Sequence, residues 1–201
     1  MANDLLSAAT AYDRFCQHKY ELDCYNRMKG RIRLRLAPTY EDFFHLAGLH
    51  KIKDIMIKQE SRKKTFFGIL SESGITNELI KTSTSFSLIE DRLSLITRLY
   101  KILCSQKHCS IYEWNKDIAR SKIDADFLLV HRDDPCLQNN LVDCYFIKQP
   151  KDSLNYVFIS CFSCSFKDLT TNQIKLRMVT ISRIKLEQIY PASAQLTHEM
   201  T

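Results

Sequence analysis

Ser87-Leu88-Ile89-Glu90-Asp91-Arg92-Leu93-Ser94-Leu95-Ile96-Thr97-Arg98-Leu99-Tyr100-Lys101-Ile102-Leu103-Cys104 keeps one rhythm, and Ser110-Ile111-Tyr112-Glu113-Trp114 keeps another. In the first segment Ile89, Leu93, Ile96, Leu99, Tyr100 and Leu103 recur at helical spacing behind a Ser87–Glu90 capping box. That pattern predicts a strong amphipathic helix ending near Cys104. From Ser110 the period drops to two, the signature of half-buried strands. Helices first and sheet second is an α+β order, with N-terminal helices packed on one face of a C-terminal antiparallel sheet.

Downstream of that switch, strands are expected at Ser110–Trp114, Ala125–His131, Leu141–Lys148, Asn155–Phe166 and Leu176–Leu186. Turn residues at Asp133-Asp134-Pro135, Pro150–Ser153 and Thr170-Thr171-Asn172 join them into a meander. Strict alternation of the fourth strand puts Tyr156, Phe158, Phe162, Cys164 and Phe166 in the core. Val157, Ile159, Cys161, Ser163 and Ser165 then share the other face, whose small hydroxyls leave room for a phosphate or base. The last strand has Arg177, Arg183 and Lys185 on one face and Thr180 with Ser182 on the other. Exposed sheet faces carry such residues anyway, so they read equally as solvated surface.

Upstream, residues 3–19 read as a helix capped by Asn3 or Asp4, with Leu5, Ala8, Ala9, Tyr12, Phe15, Cys16 and Lys19 in helical period. A charged connection runs to Gly30. Arg31-Ile32-Arg33-Leu34-Arg35-Leu36 alternates strictly and predicts a strand. Its face of Arg31, Arg33 and Arg35 sets charges about 7 Å apart, near the repeat of a nucleic-acid backbone. The same face suits an edge strand defended by charge.

Thr39 can cap a central helix running to about Lys58, with Glu41 and Asp42 in its first turn. Within it Phe43-Phe44-His45-Leu46-Ala47-Gly48-Leu49-His50-Lys51-Ile52-Lys53-Asp54-Ile55 concentrates titratable groups beside an apolar stripe. On a continuous helix His45 aligns with Leu49, Ile52 and Met56. His50 lies roughly 140° away and stacks over Asp54 at i,i+4. Histidines five apart make a poor zinc pair but a reasonable acid–base pair, with Asp54 fixing the His50 tautomer. The plainer reading is one core histidine and one solvated one. Gln59-Glu60-Ser61-Arg62-Lys63-Lys64 reads as a basic loop, a second candidate for phosphate contact. A short helix follows at Thr65–Leu70, then a Ser- and Thr-rich stretch to Ser85. Arg92 borders the apolar face of its helix and can reach toward the histidines or snorkel.

The 201 residues suffice for one domain, with no repeat or boundary within 1–201. The net charge of +6 is compatible with a nucleic-acid partner. No apolar run approaches the roughly 20 residues of a membrane span. Met1-Ala2-Asn3-Asp4 offers no basic leader, so the eight cysteines are expected as reduced thiols in a cytoplasmic protein. Cys161-Phe162-Ser163-Cys164 has metal or redox spacing, but a strand points its two thiols to opposite faces and no second pair matches. No metal site and no cofactor are expected. A Cys-based metal or redox protein would require Cys161 or Cys164 beside another Cys or His.

Phe44-His45-Leu46-Ala47-Gly48-Leu49-His50-Lys51-Ile52-Lys53-Asp54-Ile55 resembles the signature of phage-associated nuclease domains of the BECR group. That superfamily joins barnase, EndoU, colicin and RelE-type ribonucleases. The alternating Arg strand before it, the Ser83 to Leu103 helix and the Asp126–His131 strand are similar in order and character. The resemblance implies an α+β fold and metal-independent cleavage of RNA, by attack of the ribose 2′-hydroxyl to leave a 2′,3′-cyclic phosphate. It implies that His50 carries one proton transfer, that His45 carries the other or holds the helix in place, and that Lys51, Arg92 and a strand-face Arg among Arg31, Arg33 and Arg35 stabilise the charged phosphorane. Ser163, Ser165 and Thr180 would position phosphate oxygens. RNA is the implied partner, with an antitoxin or immunity protein a candidate for a toxin-like enzyme. The alternative is a non-catalytic nucleic-acid- or protein-binding module on the same scaffold. Convergence of His50, Lys51 and Arg92 with sheet hydroxyls in one cleft favours the enzyme; scatter over a solvated surface favours the module.

Overall fold

Asp4 starts the first helix, its Oδ1 accepting from the Ser7 amide at 2.6 Å and its Oδ2 from the Ser7 hydroxyl at 3.0 Å. The helix, α1, runs Leu5–Cys16. The computed structural model describes residues 4–55, 61–105, 107–132, 141–165 and 169–186. Asn3, Met56, Lys58, Gln59, Glu60, the Asp133–Pro135 turn, Cys136 and Phe166 lie outside them.

Immediately after α1 comes strand β1, His18–Asn26, where the sequence reading had the end of a helix and a charged connection. Tyr20, Leu22 and Cys24 are fully buried, alternating with Glu21, Asp23 and Tyr25, so Lys19 belongs to the strand. β2, Gly30–Leu36, pairs antiparallel with β1 in the register Leu22–Leu34. Gly30 takes φ +77° at the turn, closed by Asn26 Oδ1 accepting from the Met28 and Lys29 amides.

The remaining elements are α2 (Asp42–Leu46), a 3₁₀ turn (Leu49–Lys51), α3 (Arg62–Leu70), α4 (Asn77–Lys81) and α5 (Ser87–Ser105). Strands β3 (Cys109–Glu113), β4 (Phe127–His131), β5 (Leu141–Lys148), β6 (Val157–Ser165) and β7 (Ile174–Lys185) follow. Among the described residues the seven strands form one antiparallel sheet in the order β2-β1-β7-β3-β4-β5-β6. β3 to β6 follow the expected meander, but its fifth strand, β7, does not continue it beside β6. β7 returns across it to pair with both β3 and β1, which closes two edges the sequence order leaves open. The outer strands also touch: the Tyr156 amide donates to Arg35 O at 2.7 Å, and the Ala37 amide to Tyr156 O at 3.2 Å.

The main core lies between the helices and one sheet face. α1 contributes Leu5, Ala8, Tyr12 and Phe15, and α5 contributes Ile89, Leu93, Ile96 and Leu99. Tyr12, Phe43 and Phe66 meet ring to ring, with Tyr12–Phe43 at 5.4 Å and Phe43–Phe66 at 5.1 Å. Each such pair contributes about 0.5–1.5 kcal/mol beyond area burial and locks α1, α2 and α3 together. The far face of β3–β6 carries a second apolar cluster around Trp114, Leu128 and Phe146. Among the described residues no helix is long and apolar enough to cross a membrane.

Candidate active-site cleft

Gly48 breaks the segment that reads as one helix. Its φ of +76° ends α2, with the Gly48 amide donating to His45 O at 3.0 Å and the Ala47 amide to Phe43 O at 2.8 Å. The 3₁₀ turn then starts, Lys51 N donating to Gly48 O at 2.9 Å, and Ile52 is already extended. The predicted continuous helix to Lys58 is therefore two short turns. A Cβ on Gly48 would stand 2.9 Å from Arg92 Cδ and 3.0 Å from Ile89 Cγ2, so only glycine lets α5 approach this closely.

The break brings together what a continuous helix would keep apart. The His45 and His50 rings lie 5.0 Å apart, centroid to centroid. The stacking of Asp54 under His50 is absent, because the chain leaves helical geometry between them. Asp54 instead accepts from Ser83 Oγ at 2.6 Å and from Thr84 N at 2.8 Å, tying the segment to the loop before α5. These bonds hold its carboxyl at about 2. Asp42 likewise accepts from Thr39 N and Oγ1, at 2.9 and 2.8 Å.

Arg92 crosses from α5 to the histidines, as its border position allowed. It is 9% exposed, with Nη1 donating to Leu46 O and Nη2 to Ser160 Oγ, both at 3.4 Å. A guanidinium has five N–H donors, so these long bonds orient it while leaving capacity for an anion. Ser160 reaches it through a β-bulge: the β5–β6 register shifts between Phe146 and Ile147, which face Ser160 and Phe158. The bulge also overturns the predicted faces of this strand. Phe158 and Cys161 both enter the main core, whereas Phe162 and Cys164 pack on the far face.

Asp42, His45, His50, Arg92, Phe158, Ile159 and Ser160 line a cleft of about 340 Å³. Lys51 stands beside it, its pKa lowered by burial and by Arg92. Burial, then Arg62, lowers His45, while Asp42 opposes the shift. Burial, then His45, Arg92, Lys51 and Arg62, lowers His50. The two imidazoles thus differ in balance: the cations weigh most on His50, whereas Asp42 acts on His45. The Cys161 thiol beneath is pushed up to about 12 by burial and contacts Leu46 O at 3.8 Å, a packing residue rather than a nucleophile.

Other sequence candidates lie elsewhere. Arg31, Arg33 and Arg35 project from the sheet face away from the helices, because Ile32, Leu34 and Leu36 take the core side. There Arg31 and Arg33 share Asp23, at 2.7 and 2.8 Å, and Arg35 pairs with Glu21 at 3.1 Å. Edge-strand charge pairing thus describes them, and none reaches the cleft. Thr180 stands opposite Asp23 on that same outer face. A register shift between Asp23 and Cys24 also separates the predicted row of arginines on β7. Arg183 turns to the helices, Nη1 donating to Tyr100 Oη at 2.6 Å. Arg177 lies opposite exposed Tyr25.

Ser163 donates to Asp143 Oδ1 at 3.3 Å, and Arg98 grips the same carboxylate at 3.1 and 3.2 Å. His131 approaches it at 3.6 Å. This buried cluster was not anticipated, although a lone acid in the apolar Leu141–Lys148 run was a visible signal. Ser165 ends β6 opposite Leu141. Ser160, the hydroxyl that does reach the cleft, was missed because only the bulge turns it there. Cys164 does meet a thiol, Cys144, at 3.5 Å on the far face, but no group of three metal-ligating side chains exists among the described residues.

No curated protein and no solved structure matches this chain. One family model does, over residues 4–179 of the 201. That span holds the histidines, Arg92 and the sheet as far as the middle of β7, so the chain belongs to the family described as phage-Barnase-EndoU-ColicinE5/D-RelE like nuclease4.

Proposed function

We propose that the chain is a metal-independent ribonuclease that turns an internal phosphodiester of RNA into a 2′,3′-cyclic phosphate and a free 5′-hydroxyl. The observation that carries this reading is the 5.0 Å approach of His45 and His50 in a cleft backed by Arg92. Two imidazoles at this spacing can serve the two oxygens of one phosphorus. His50, whose neutral form is favoured by burial and by the cations beside it, takes the 2′-hydroxyl proton as that oxygen bonds to phosphorus. His45, with Asp42 favouring its charged form, gives a proton to the departing 5′-oxygen. Arg92 and Lys51 stabilise the extra charge on the phosphorane, and Ser160 orients the guanidinium. The family's nuclease description supports a nucleic-acid substrate. We carry a toxin-like, phage-associated role in the cytoplasm, with an antitoxin or immunity partner, from the likeness to barnase, colicin and RelE-type ribonucleases.

RNA incubated with the purified chain in excess EDTA tests this. Cleavage leaving cyclic phosphate ends, absent with His50→Ala, is the expected result. A folded chain that cleaves no RNA, yet binds it, moves the assignment to the non-catalytic module.

A further inference from the structure

α3 carries a second concave surface beside the cleft. Its Ser61 cap accepts from Lys64 N at 3.3 Å, and its first turn presents Arg62, Lys63 and Lys64 with no acidic residue among them. Cations at a helix N-terminus oppose the helix dipole, so this turn concentrates positive potential that a bound anion would relieve. All three are exposed, and no ion pair engages them among the described residues.

Successive helical side chains point 100° apart, which divides the three cations between two surfaces. Arg62 shares a row with Phe66, which packs on Phe43 of α2 at 5.1 Å, so Arg62 faces the histidines. Lys63 shares the next row with Phe67 and Ser71. Lys63, Lys64, Phe67, Gly68, Ser71 and Ser73 line a groove of about 620 Å³. Phe67 is 42% exposed, and Tyr40 backs its ring at 4.9 Å. An exposed aromatic held by a second ring, beside two lysines, offers a base somewhere to stack and its phosphate a counter-charge.

The groove floor is backbone. Ser73 N and Gly74 N both donate to Gly68 O at 3.0 Å, folding the chain back against the helix end. A Cβ on Gly74 would come within 3.2 Å of the Gly68 carbonyl carbon. This fold-back sets Ser71 Oγ and Ser73 Oγ 2.8 Å apart at the rim, where hydroxyls can meet sugar or phosphate oxygens.

We propose that this groove binds single-stranded RNA flanking the phosphate held at His45 and His50, with a base on Phe67, backbone phosphates on Lys63 and Lys64, and Arg62 joining groove to cleft. It rests on the nuclease reading for the identity of the strand in the cleft. An unpaired base is required because a duplex buries the π-face that Phe67 would stack. A merely acidic peptide would use the lysines and leave the aromatic unexplained.

The test is fluorescence anisotropy with a labelled 2′-O-methyl oligoribonucleotide of about ten bases, which spans a groove-sized single-strand site and cannot be cleaved by 2′-hydroxyl attack. Lys63→Glu with Lys64→Glu, and separately Phe67→Ala, are each expected to raise Kd roughly tenfold or more. The lysine pair also flattens the slope of log Kd against log salt by about one or more. Lys101→Glu with Lys122→Glu changes net charge equally at exposed sites elsewhere and is expected to stay near wild type. Melting curves confirm that each variant folds; the lysine pair, being fully on the surface, keeps the test decisive should Phe67→Ala unfold. Unchanged Kd in the lysine variant overturns the inference. So does an equal loss in the control, or displacement of the probe by duplex RNA or polyglutamate as readily as by single strand. Because the probe is uncleavable, binding lost in the groove variants beside a wild type that cuts no RNA removes the nuclease reading and keeps the groove. Cleavage with no groove effect does the reverse.

Discussion

His45 and His50 face each other at 5.0 Å although five positions apart, because the chain reverses its helical course at Gly48 between them. Among the described residues neither ring has a carboxylate hydrogen-bonded to it; Asp42 shares the cleft, and the cations Arg92, Lys51 and Arg62 outnumber it. A phosphate entering this cleft would supply the missing negative charge.

Removing either ring removes one proton transfer. His50→Ala and His45→Ala are each expected to lower RNA cleavage in EDTA by at least about 10²-fold. The double variant should lose little more than the worse single one, since the two act on one transition state. Initial rates on a single defined RNA measure this.

Both histidines are lowered below the usual 6.5. With His50 neutral and His45 protonated in the productive form, kcat/KM should be bell-shaped with its optimum on the acid side of 6.5. Phosphate binding should move both imidazole titrations upward, as followed by proton NMR, since the anion favours their charged forms.

The same shifts set stability. A histidine whose folded pKa lies below its unfolded value takes up a proton more readily when unfolded. Its contribution is whole above about 6.5 and is lost as pH falls through the folded value. Asp54, held at about 2 against an ordinary 3.8, contributes fully above 3.8 and stops contributing as pH falls through 2. A histidine loss below 6.5 and a carboxylate loss below 3.8 should appear in melting temperature against pH; Asp54→Asn should reduce the second, to which Asp23, lowered by Arg33 and Arg31, also contributes.

Arg92→Lys keeps a positive charge but not the fork that spans Leu46 O and Ser160 Oγ. It is expected to lower kcat/KM by about 10²-fold, the loss typical of one transition-state donor. Arg92→Met should lose more activity while keeping much of the stem packing. Far-UV circular dichroism separates lost chemistry from lost structure.

Gly48→Ala places a Cβ 2.9 Å from Arg92 Cδ on a backbone at φ +76°. The left-handed conformation alone costs about 1–2 kcal/mol for a residue with a side chain, and the overlap adds to it. Both denaturation midpoint and cleavage should fall, because the atom that must move belongs to Arg92. The equivalent change at Gly30, which has φ +77° but open space around it, should cost stability only.

Much of the fold was legible because it is written in local burial. α5 and β2 bury one face against the same core along their whole length, so their periods of 3.6 and 2 appear directly in the order of residues. β1 was equally legible, in the alternation of Tyr20, Leu22 and Cys24 with Lys19, Glu21 and Asp23. It was missed because it follows α1 after a single residue, with no turn signal between. The candidate cleft was half legible: residue types and their proximity in sequence marked His45, His50, Lys51 and Arg92.

By itself, the sequence determined the α+β order, four of the five strands expected in the meander and the residue types able to move protons and hold a phosphate. The tertiary structure alone decided which of them meet. Gly48 becomes left-handed where Arg92 and Ile89 of α5 press against it, and Ser160 turns to the cleft because β6 slips register against β5. β7 settles between β1 and β3, strands far from it in sequence. Each depends on contacts between segments distant along the chain, and a periodic pattern records only how a segment meets its surroundings, not which surroundings it meets.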